Sequence, residues 1–289
     1  MKLLVTGKTG QLGWELERIL AGLGEVVALD RSGLDLSSAN SIGAAVRSLR
    51  PDVIVNAGAY TAVDKAEAES GITHAINAIG PAMLAEEARK LDALLIHYST
   101  DYVFDGRKNG AYTENDAVNP LSVYGRTKWE GEQAILASGC RHLIFRTSWV
   151  YSPRGKNFML TMLRLLREKP QLAVVDDQVG APTSTRVIAQ ATAHVLQQKP
   201  DRSGLFHLTA SGHTTWWGFT KLIAEAARLQ SARIDAIPTS AYPTAATRPL
   251  NSRLDCSSIQ SGYGVELPAW DIEAKRVVAE ILAAKPASG

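Results

Sequence analysis

Apolar and polar positions alternate in blocks along the first half of the chain. Short, almost continuous apolar runs stand at 2–6, 26–30, 52–56, 94–99 and 143–147. Strands that are buried on both faces of a parallel sheet have this composition. Between the runs, apolar residues recur at helical spacing over 11–22, 40–49 and 75–91. This alternation is typical of crossover units and predicts an α/β fold with a doubly wound parallel sheet.

The pattern loosens after residue 150, where Pro and Gly become more frequent. Helical spacing continues at 157–168, 185–197, 215–229 and 271–284, with short strand-like stretches at 172–175 and 205–209. We predict a first domain over 1–150 and a smaller, interleaved C-terminal lobe that is mainly formed by 151–289. Segments near 185–210 are expected to return to the first domain.

Charge and composition narrow the class of partner. The 289 residues include 31 Lys and Arg against 29 Asp and Glu, without a basic cluster, so we expect neither nucleic acid nor a membrane as partner. No apolar run reaches the ~18 residues that span a bilayer, and the N-terminus reaches glycine too soon for a signal peptide. Two distant cysteines, Cys140 and Cys256, cannot form a disulfide framework. We therefore expect a cytoplasmic protein with a small-molecule partner.

A glycine-rich turn follows the first predicted strand. Gly7, Gly10 and Gly13 lie between this strand and the first helix, where glycines allow a tight turn and close approach to a pyrophosphate. Three glycines alone also fit an ordinary turn. Asp30 ends the second strand, where a carboxylate can bind the ribose of an adenine dinucleotide; taken singly, it also fits a loop aspartate. Together they predict a Rossmann-type domain.

The choice between NADPH and NADH is left open by the charges near this turn. The Asp30 carboxylate repels a 2′-phosphate, whereas Lys8 and Arg31 attract one. We expect the protein to accept both cofactors.

Candidate catalytic residues lie further along the chain. Tyr124 and Lys128 are spaced i, i+4, so both project from one face of a helix. Thr100 follows the fourth strand, and ligands of parallel sheets bind at the carboxyl ends of strands. A hydroxyl that binds a carbonyl oxygen and a phenol that protonates it would suit ketone reduction. An ammonium about 4 Å away favours the phenolate by up to ~4 kcal/mol, so we expect Lys128 to lower the pKa of Tyr124.

The chain resembles the extended short-chain dehydrogenase/reductase family. The segments GKTGQLG, NAGA and YGRTK, together with the strand-end aspartate, occur in that family's order and spacing. Further segments are similar to its sugar-nucleotide reductases: HYSTDYVFDG, FRTSWVY, DDQVGAPT and RPLNSRLD. The resemblance covers nearly the whole chain. It implies reduction of the C4 ketone of dTDP-4-dehydro-L-rhamnose, a nucleotide sugar, by hydride from NADPH or NADH.

The resemblance also implies roles for particular residues. Tyr124 would donate the proton, Lys128 would bind the nicotinamide ribose and Thr100 would hold the C4 oxygen. Residues expected to contact the cofactor are Gly7, Gly10, Gln11, Leu12, Gly13, Asp30, Asp35, Leu36, Ala59, Tyr60, Thr61, Tyr98, Tyr124 and Lys128.

The nucleotide sugar is expected to contact Thr100, Asp101 and Trp149, although a core position for Trp149 is the alternative. Its diphosphate requires a cation, and we name Arg248 and Arg253 because guanidinium binds phosphate in a bidentate fork. A solvent-exposed loop or an ion pair would explain both arginines equally well.

A metal site is not predicted. The histidines lack metal-ligand spacing, and we expect structural roles for His74, His97, His142, His194, His207 and His213. Some members of the family bind Mg²⁺ near a subunit contact through an acidic residue, at a position where this chain has Arg186. The resemblance leaves both Mg²⁺ and a homodimer open.

Two alternative functions remain. The first is another sugar-nucleotide enzyme, such as a 4-epimerase. A 4,6-dehydratase is disfavoured because its threonine is followed by Asp-Glu, whereas Thr100 is followed by Asp101 and Tyr102. The second is a cofactor-binding regulatory subunit without catalysis, since fold does not fix function. The presence of Thr100, Tyr124 and Lys128 together favours catalysis.

Overall fold

The computed structural model describes residues 1–284. The strands are β1 (Lys2–Thr6), β2 (Glu25–Leu29), β3 (Val53–Asn56), β4 (Leu94–Thr100), β5 (His142–Thr147), β6 (Val150–Tyr151), β7 (Gln171–Val175), β8 (Val179–Gly180), β9 (Thr183–Ser184), β10 (Gly204–His207), β11 (Thr214–Thr215) and β12 (Arg233–Ile237). The α-helices are α1 (Gln11–Leu20), α2 (Ala39–Leu49), α3 (Val63–Ala68), α4 (Ser70–His74), α5 (Gly80–Leu91), α6 (Val123–Ala137), α7 (Phe158–Glu168), α8 (Thr185–Gln197), α9 (Trp216–Ala226), α10 (Ser257–Tyr263) and α11 (Trp270–Ala284).

Six strands form one parallel sheet in the order β2-β1-β3-β4-β5-β10. The predicted Rossmann-type parallel sheet is therefore confirmed. The chain places β2 on one side of β1 and β3 on the other, so the connections diverge at the carboxyl ends of β1 and β3. A crevice opens at such a switch point, and the ligand sites of open α/β sheets lie there.

Side chains that alternate along the strands contribute to two apolar cores, one on each face of the six-stranded sheet. On β1, Leu3 and Val5 belong to the core covered by α1 and α8, whereas Leu4 belongs to the core covered by α2 and α5. All three side chains are fully buried. Burial on both faces explains why the strand sequences read as continuous apolar runs.

A third core lies outside the six-stranded sheet. It is formed by α7, α9 and α11 with β7 and β12, which pair in parallel, and includes Phe219 and Val278. Because this core is separate, we propose the division into a first domain over 1–150 and a lobe over 151–289, of which residues 285–289 lie outside the described residues. The packing of α8 on α1 supports the proposed return of 185–210 to the first domain.

One π-helical turn, Ala75–Ile79, connects α4 to α5. The sequence predicts a regular helix over this stretch, so the irregular turn was not foreseen. It presents Asn77 to the strand-end loop, where Asn77 Oδ1 accepts from the Tyr60 amide at 2.8 Å and Nδ2 donates to the Tyr60 carbonyl at 3.0 Å. A Cβ on Gly131 of α6 would lie 2.3 Å from the Asn77 carbonyl, so glycine allows the two segments to touch.

Across residues 1–284, none of the helices combines the length and apolar character that crossing a bilayer requires.

Candidate active site

The glycine-rich turn packs directly against the end of β3. Gly7 has a φ of +73°, and a Cβ there would lie 2.9 Å from Gly58; a Cβ at Gly13 would lie 2.1 Å from the Gly7 carbonyl oxygen. Gly10 precedes α1 without a side-chain cap. The first amide groups of α1 therefore have no internal acceptor and can bind an anion such as a pyrophosphate.

The charged residues after β2 are already paired. Asp30 Oδ1 accepts from the amide and hydroxyl of Ser32 at 2.9 and 2.6 Å, and these bonds lower the pKa of Asp30. Lys8 lies 3.3 Å from the carboxylate of Glu17. Arg31 pairs with Asp35 at 3.2 Å. A 2′-phosphate would therefore compete with Glu17 for Lys8 and with Asp35 for Arg31.

A cavity of about 520 Å³ opens where the glycine-rich turn, the ends of β3 and β4, and α6 meet. We call it the inner cleft. It brings together twelve of the residues named from the sequence: Gly7, Gly10, Gln11, Leu12, Ala59, Thr61, Tyr98, Thr100, Asp101, Tyr124, Lys128 and Trp149. Gly13, Asp30, Asp35, Leu36 and Tyr60 do not line it. Gly13 acts through packing against Gly7, and the Tyr60 hydroxyl bonds Glu69.

The three candidate catalytic side chains lie at one end of the inner cleft. Thr100 ends β4, and its hydroxyl donates to Asp101 Oδ1 at 3.0 Å while accepting from the Tyr102 amide at 3.2 Å. Helix α6 begins directly after Ser122, whose hydroxyl caps the Gly125 amide at 3.1 Å. This start places Tyr124 and Lys128 one turn apart on the helix.

The pKa of Tyr124 moves in the direction opposite to the one that we expected. Burial raises it to about 12; the Thr100 hydroxyl acts in the lowering direction and the Asp101 carboxylate in the raising direction. The Lys128 amine is engaged with other groups: Nζ donates to the Tyr98 carbonyl at 2.6 Å and contacts His97 Nε2 at 3.1 Å. Lys128 is 2% exposed, and burial lowers its pKa to about 8.

Polar atoms without partners mark the same cavity. Ser99 Oγ, Asp101 Oδ2 and Thr147 Oγ1 are buried, have no hydrogen-bond partner among residues 1–284, and belong to residues that line the inner cleft. Buried polar groups of native proteins are almost always satisfied. Burial also raises the pKa of Asp101 to about 6. These unsatisfied atoms fit a ligand rich in hydroxyl or carbonyl groups.

A second cavity of about 740 Å³ continues from the inner cleft into the lobe. We call it the outer cavity. Trp149 lines both cavities and stacks on Trp216, with ring centroids 3.5 Å apart and planes inclined by 6°. The backbone of Trp149 has a φ of +47°, a conformation that is uncommon outside glycine and marks a constrained position. Its indole thus forms part of the wall between the two cavities.

The two arginines named from the sequence differ in position. Arg248 lines the outer cavity and forms an ion pair with Asp64 at 2.6 Å. Arg253 lines neither cavity, and its Nε donates to Asn251 Oδ1 at 2.8 Å. The structure therefore brings one of the two guanidinium groups to the site.

Sequence reasoning missed several residues of the site. His97 contacts Lys128, Trp216 stacks on Trp149, and Lys156 lines the inner cleft. His97 stands two residues before Ser99 on β4, so its side chain shares a face with a residue of the site, and this spacing was an available signal. Nothing in the sequence marks Trp216 or Lys156, because their positions depend on how the lobe folds back.

The position of Arg186 does not fit a metal ion. Its guanidinium lies 3.6 Å from Glu15 and 2.5 Å from Glu280, so a cation of the protein already stands between these carboxylates. Within residues 1–284 no group of three His, Cys, Asp or Glu side chains is arranged to hold a metal.

The inner cleft fits a nicotinamide dinucleotide. The cradle formed at Gly7 and Gly58 has no room for a Cβ, the start of α1 offers free amide groups, and Asp30 ends β2. These are the elements that Rossmann-type domains use for the pyrophosphate and ribose.

Comparison with known proteins agrees with this geometry. The family described as RmlD substrate binding domain matches residues 1–283. The chain is 47% identical to dTDP-4-dehydrorhamnose reductase from Escherichia coli K12, over 97% of this chain and 98% of that protein.

Two solved structures share the whole fold. A dTDP-4-dehydrorhamnose reductase from Clostridium acetobutylicum superposes with a TM-score of 0.94, at 36% identity, over 98% of this chain and 100% of that one. The reductase from Bacillus anthracis, in complex with NADP, gives 0.92 at 31% identity over 96% and 99%. The chain therefore belongs to the dTDP-4-dehydrorhamnose reductase family, within the extended short-chain dehydrogenases/reductases.

Proposed function

We propose that the protein reduces the C4 ketone of dTDP-4-dehydro-L-rhamnose to the alcohol of dTDP-L-rhamnose, using NADPH or NADH. The observation that carries the proposal is the placement of Thr100, Tyr124 and Lys128 together at the carboxyl end of β4, beside the glycine cradle. The same cleft contains unsatisfied buried oxygens that suit a sugar.

The cofactor would lie along the inner cleft, with its pyrophosphate at the start of α1, and it supplies the hydride when bound. Gly10, Gln11 and Leu12 line the cleft at the helix start, where their amide groups can bind the anion. Lys128 reaches the cleft from α6 and can bind the ribose hydroxyls. The close contact of Gly7 with Gly58 keeps side-chain atoms out of the cradle.

Tyr124 is the proton donor. With a pKa near 12, the phenol is protonated at neutral pH and can deliver its proton to a forming alkoxide. The Thr100 hydroxyl can turn from Asp101 to the ketone oxygen, which it then orients toward Tyr124. Lys128, below its pKa of about 8, carries a positive charge that favours the phenolate left behind. In this order of events the lysine stabilises the product state.

The rest of the nucleotide sugar would occupy the outer cavity. Arg248 provides a cation for the diphosphate and Trp149 an aromatic surface for the sugar. Asp101 Oδ2 can accept a sugar hydroxyl. The Asp-Glu pair of the dehydratases is absent, because Tyr102 follows Asp101. A homodimer and a cytoplasmic location remain predictions.

Turnover with the natural substrate tests the proposal. Purified protein is mixed with dTDP-4-dehydro-L-rhamnose and NADPH or NADH, and the loss of reduced-nicotinamide absorbance is followed, with Tyr124→Phe measured in parallel. We expect stoichiometric oxidation of the cofactor by the parent protein and a large loss in the variant. Cofactor binding without net oxidation would contradict the proposal and favour an epimerase or a regulatory subunit.

A further inference from the structure

A buried chain of hydrogen bonds lies behind Lys128. The Gly58 amide donates to Thr6 Oγ1 at 3.1 Å, and the Thr6 hydroxyl donates to Asn56 Oδ1 at 2.7 Å. Asn56 Nδ2 lies 3.0 Å from His97 Nδ1, and His97 Nε2 lies 3.1 Å from Lys128 Nζ. Thr6, Asn56, His97 and Lys128 are each at most 2% exposed. These four residues are therefore shielded from bulk solvent.

The direction of each bond in the chain constrains the next. Because Asn56 Nδ2 donates to Nδ1 of His97, the neutral imidazole must carry its proton on Nε2. That proton points at Lys128 Nζ, which must then offer a lone pair. An ammonium has no lone pair. The arrangement in the structure therefore matches uncharged Lys128.

A charged Lys128 requires the opposite direction. The ammonium donates to His97 Nε2, so the imidazole proton moves to Nδ1 and needs an acceptor. A half-turn of the Asn56 amide supplies one, since it presents Oδ1 to His97 and Nδ2 to Thr6 Oγ1. The Thr6 hydroxyl then gives up the acceptor that it has in this structure. The protonation of Lys128 is thus coupled to the direction of every bond in this network, and His97 Nε2 is the acceptor that stabilises the ammonium.

We propose that His97 is a positioning residue for Lys128, and that the hydrogen bonds of Thr6, Asn56 and His97 reverse direction when Lys128 gains a proton. The bonds themselves are independent of the proposed function. The consequence of these bonds for catalysis rests on the proposed function, because Lys128 is there the residue that binds the ribose and stabilises the Tyr124 phenolate. The last donor in this series of hydrogen bonds is the amide of Gly58, which lines the inner cleft. The charge of Lys128 is therefore coupled to hydrogen bonds at the wall of the proposed cofactor site.

Among the ionisable groups close to the Lys128 amine, Lys128 itself is the one whose pKa lies near 8. Glu132, one turn further on α6, pairs with Arg146 of β5 through two bonds of 2.9 and 2.7 Å. The pKa of His97 lies well below its usual value because of burial and the Lys128 charge. Tyr124 is protonated at neutral pH. The Asp101 carboxylate, with a pKa near 6, is ionised throughout the range in which Lys128 titrates.

A matched pair of substitutions separates positioning from packing. A Gln at 97 can place an acceptor where Nε2 lies, whereas an Asn reaches only the position of Nδ1. The dissociation constant of the reduced cofactor is measured without substrate between pH 6 and 9.5. In the parent protein, affinity should fall as pH rises through the pKa of Lys128, near 8.

His97→Asn removes the acceptor for the ammonium, so the fall in affinity should move about one unit toward lower pH. His97→Gln should keep the parental profile. If both variants fold and bind with the parental pH dependence, His97 is a packing residue and the proposal is wrong. Equal shifts in both variants would also contradict it, since they would reflect lost packing.

The tautomer of His97 can be observed directly. In protein labelled with ¹⁵N-histidine, long-range proton–nitrogen spectra distinguish Nδ1–H from Nε2–H. We expect Nδ1–H at pH 6.5 and Nε2–H above pH 9, with no such change in Lys128→Met. An Nε2–H signal at pH 6.5, or an imidazolium signal, would overturn the proposal. This measurement needs no turnover, so failure of the reductase assay and failure of this inference are distinguishable.

Discussion

The inner cleft and the outer cavity share the indole of Trp149, yet their charges are set in different ways. In the inner cleft, burial is the largest cause of each shift: it raises the pKa of Tyr124 to about 12 and that of Asp101 to about 6, and it lowers that of Lys128 to about 8. At Arg248 of the outer cavity, burial acts to lower the pKa, but pairing with Asp64 raises it above its usual value, and the hydrogen bond from Arg248 holds the pKa of Asp64 below its own.

This difference determines which groups can change their protonation state and which keep their charge. A group whose charge is disfavoured by burial changes its protonation state readily when a ligand or a neighbouring charge arrives. A paired group keeps its charge over a wide pH range. The inner cleft is therefore suited to moving a proton, and the outer cavity to retaining an anionic nucleotide. Substitutions in the two cavities should accordingly change different kinetic constants.

The largest effect is expected at Tyr124. Tyr124→Phe removes the proposed proton donor while keeping the ring, so kcat should fall at least ~100-fold with little change in cofactor affinity. Steady-state rates and a fluorescence titration of the cofactor measure the two quantities. Tyr151→Phe is the matched control, because the Tyr151 hydroxyl is buried in the lobe without a partner among the described residues. A similar loss in both variants would refute a specific role for Tyr124.

Arg248 should show the reverse pattern. Arg248→Met removes a charged hydrogen-bond donor, so KM for the sugar nucleotide should rise by a factor on the order of ten or more, while kcat stays within a few-fold. Arg253→Met, five residues later but outside both cavities, should leave KM near the parental value. Equal increases in KM would show that the comparison between the two arginines is wrong.

A smaller effect is expected for Trp149. Trp149→Leu removes the stacked surface, and an aromatic contact of about 1 kcal/mol corresponds to a rise of about fivefold in KM for the substrate. The control is Trp217→Leu, since Trp217 donates to the Ile234 carbonyl at 3.1 Å and lines neither cavity. Unchanged substrate binding in Trp149→Leu would assign this tryptophan to packing alone.

The smallest effect concerns stability. The folded-state pKa of Asp101 is raised, so its carboxylate form destabilises the fold, and this penalty grows as pH rises from about 4 to above 6. Asp101→Asn should therefore increase the free energy of unfolding by on the order of 1 kcal/mol at pH 7.5. The gain should shrink at pH 4. Urea unfolding at the two pH values measures it, and a loss of stability at pH 7.5 would contradict the proposed origin of the shift.

The architecture of the first domain could be predicted because the sequence patterns that indicate it lie within short segments. Apolar runs such as 94–99 identify buried strands, and the glycines at 7, 10 and 13 identify the turn between β1 and α1. The alternation of these strands with helices then predicts a parallel sheet, although not the order of its strands. The lobe was less predictable, since the parallel pair β7–β12 joins segments some 60 residues apart and depends on packing against α9.

The placement of Tyr124 and Lys128 in one cleft could be predicted for the same reason, because they share a helix face. Their catalytic roles, like that of Thr100, stay predictions. The electrostatics of Tyr124 and Lys128 could not be predicted. Spacing along a helix does not reveal that Lys128 turns to the Tyr98 carbonyl and His97, nor that burial raises the pKa of Tyr124. The sequence predicts only a structural role for His97, because the histidines lack metal-ligand spacing. Its partners Asn56 and Lys128 lie on β3 and α6, which a single sequence does not bring together.

The π-helical turn at Ala75–Ile79 limits how the length of this segment can vary. A π turn holds one residue more than an α turn, so deleting a residue would regularise the helix at the same number of hydrogen-bonded turns. The helix faces on either side would keep their orientation, because the shortened turn still closes one circle. Within the turn, however, Asn77 would lose the position from which it bonds the amide and carbonyl of Tyr60. A deletion here should therefore leave the packing of α5 intact and disturb the loop after β3, however well it suits helix formation.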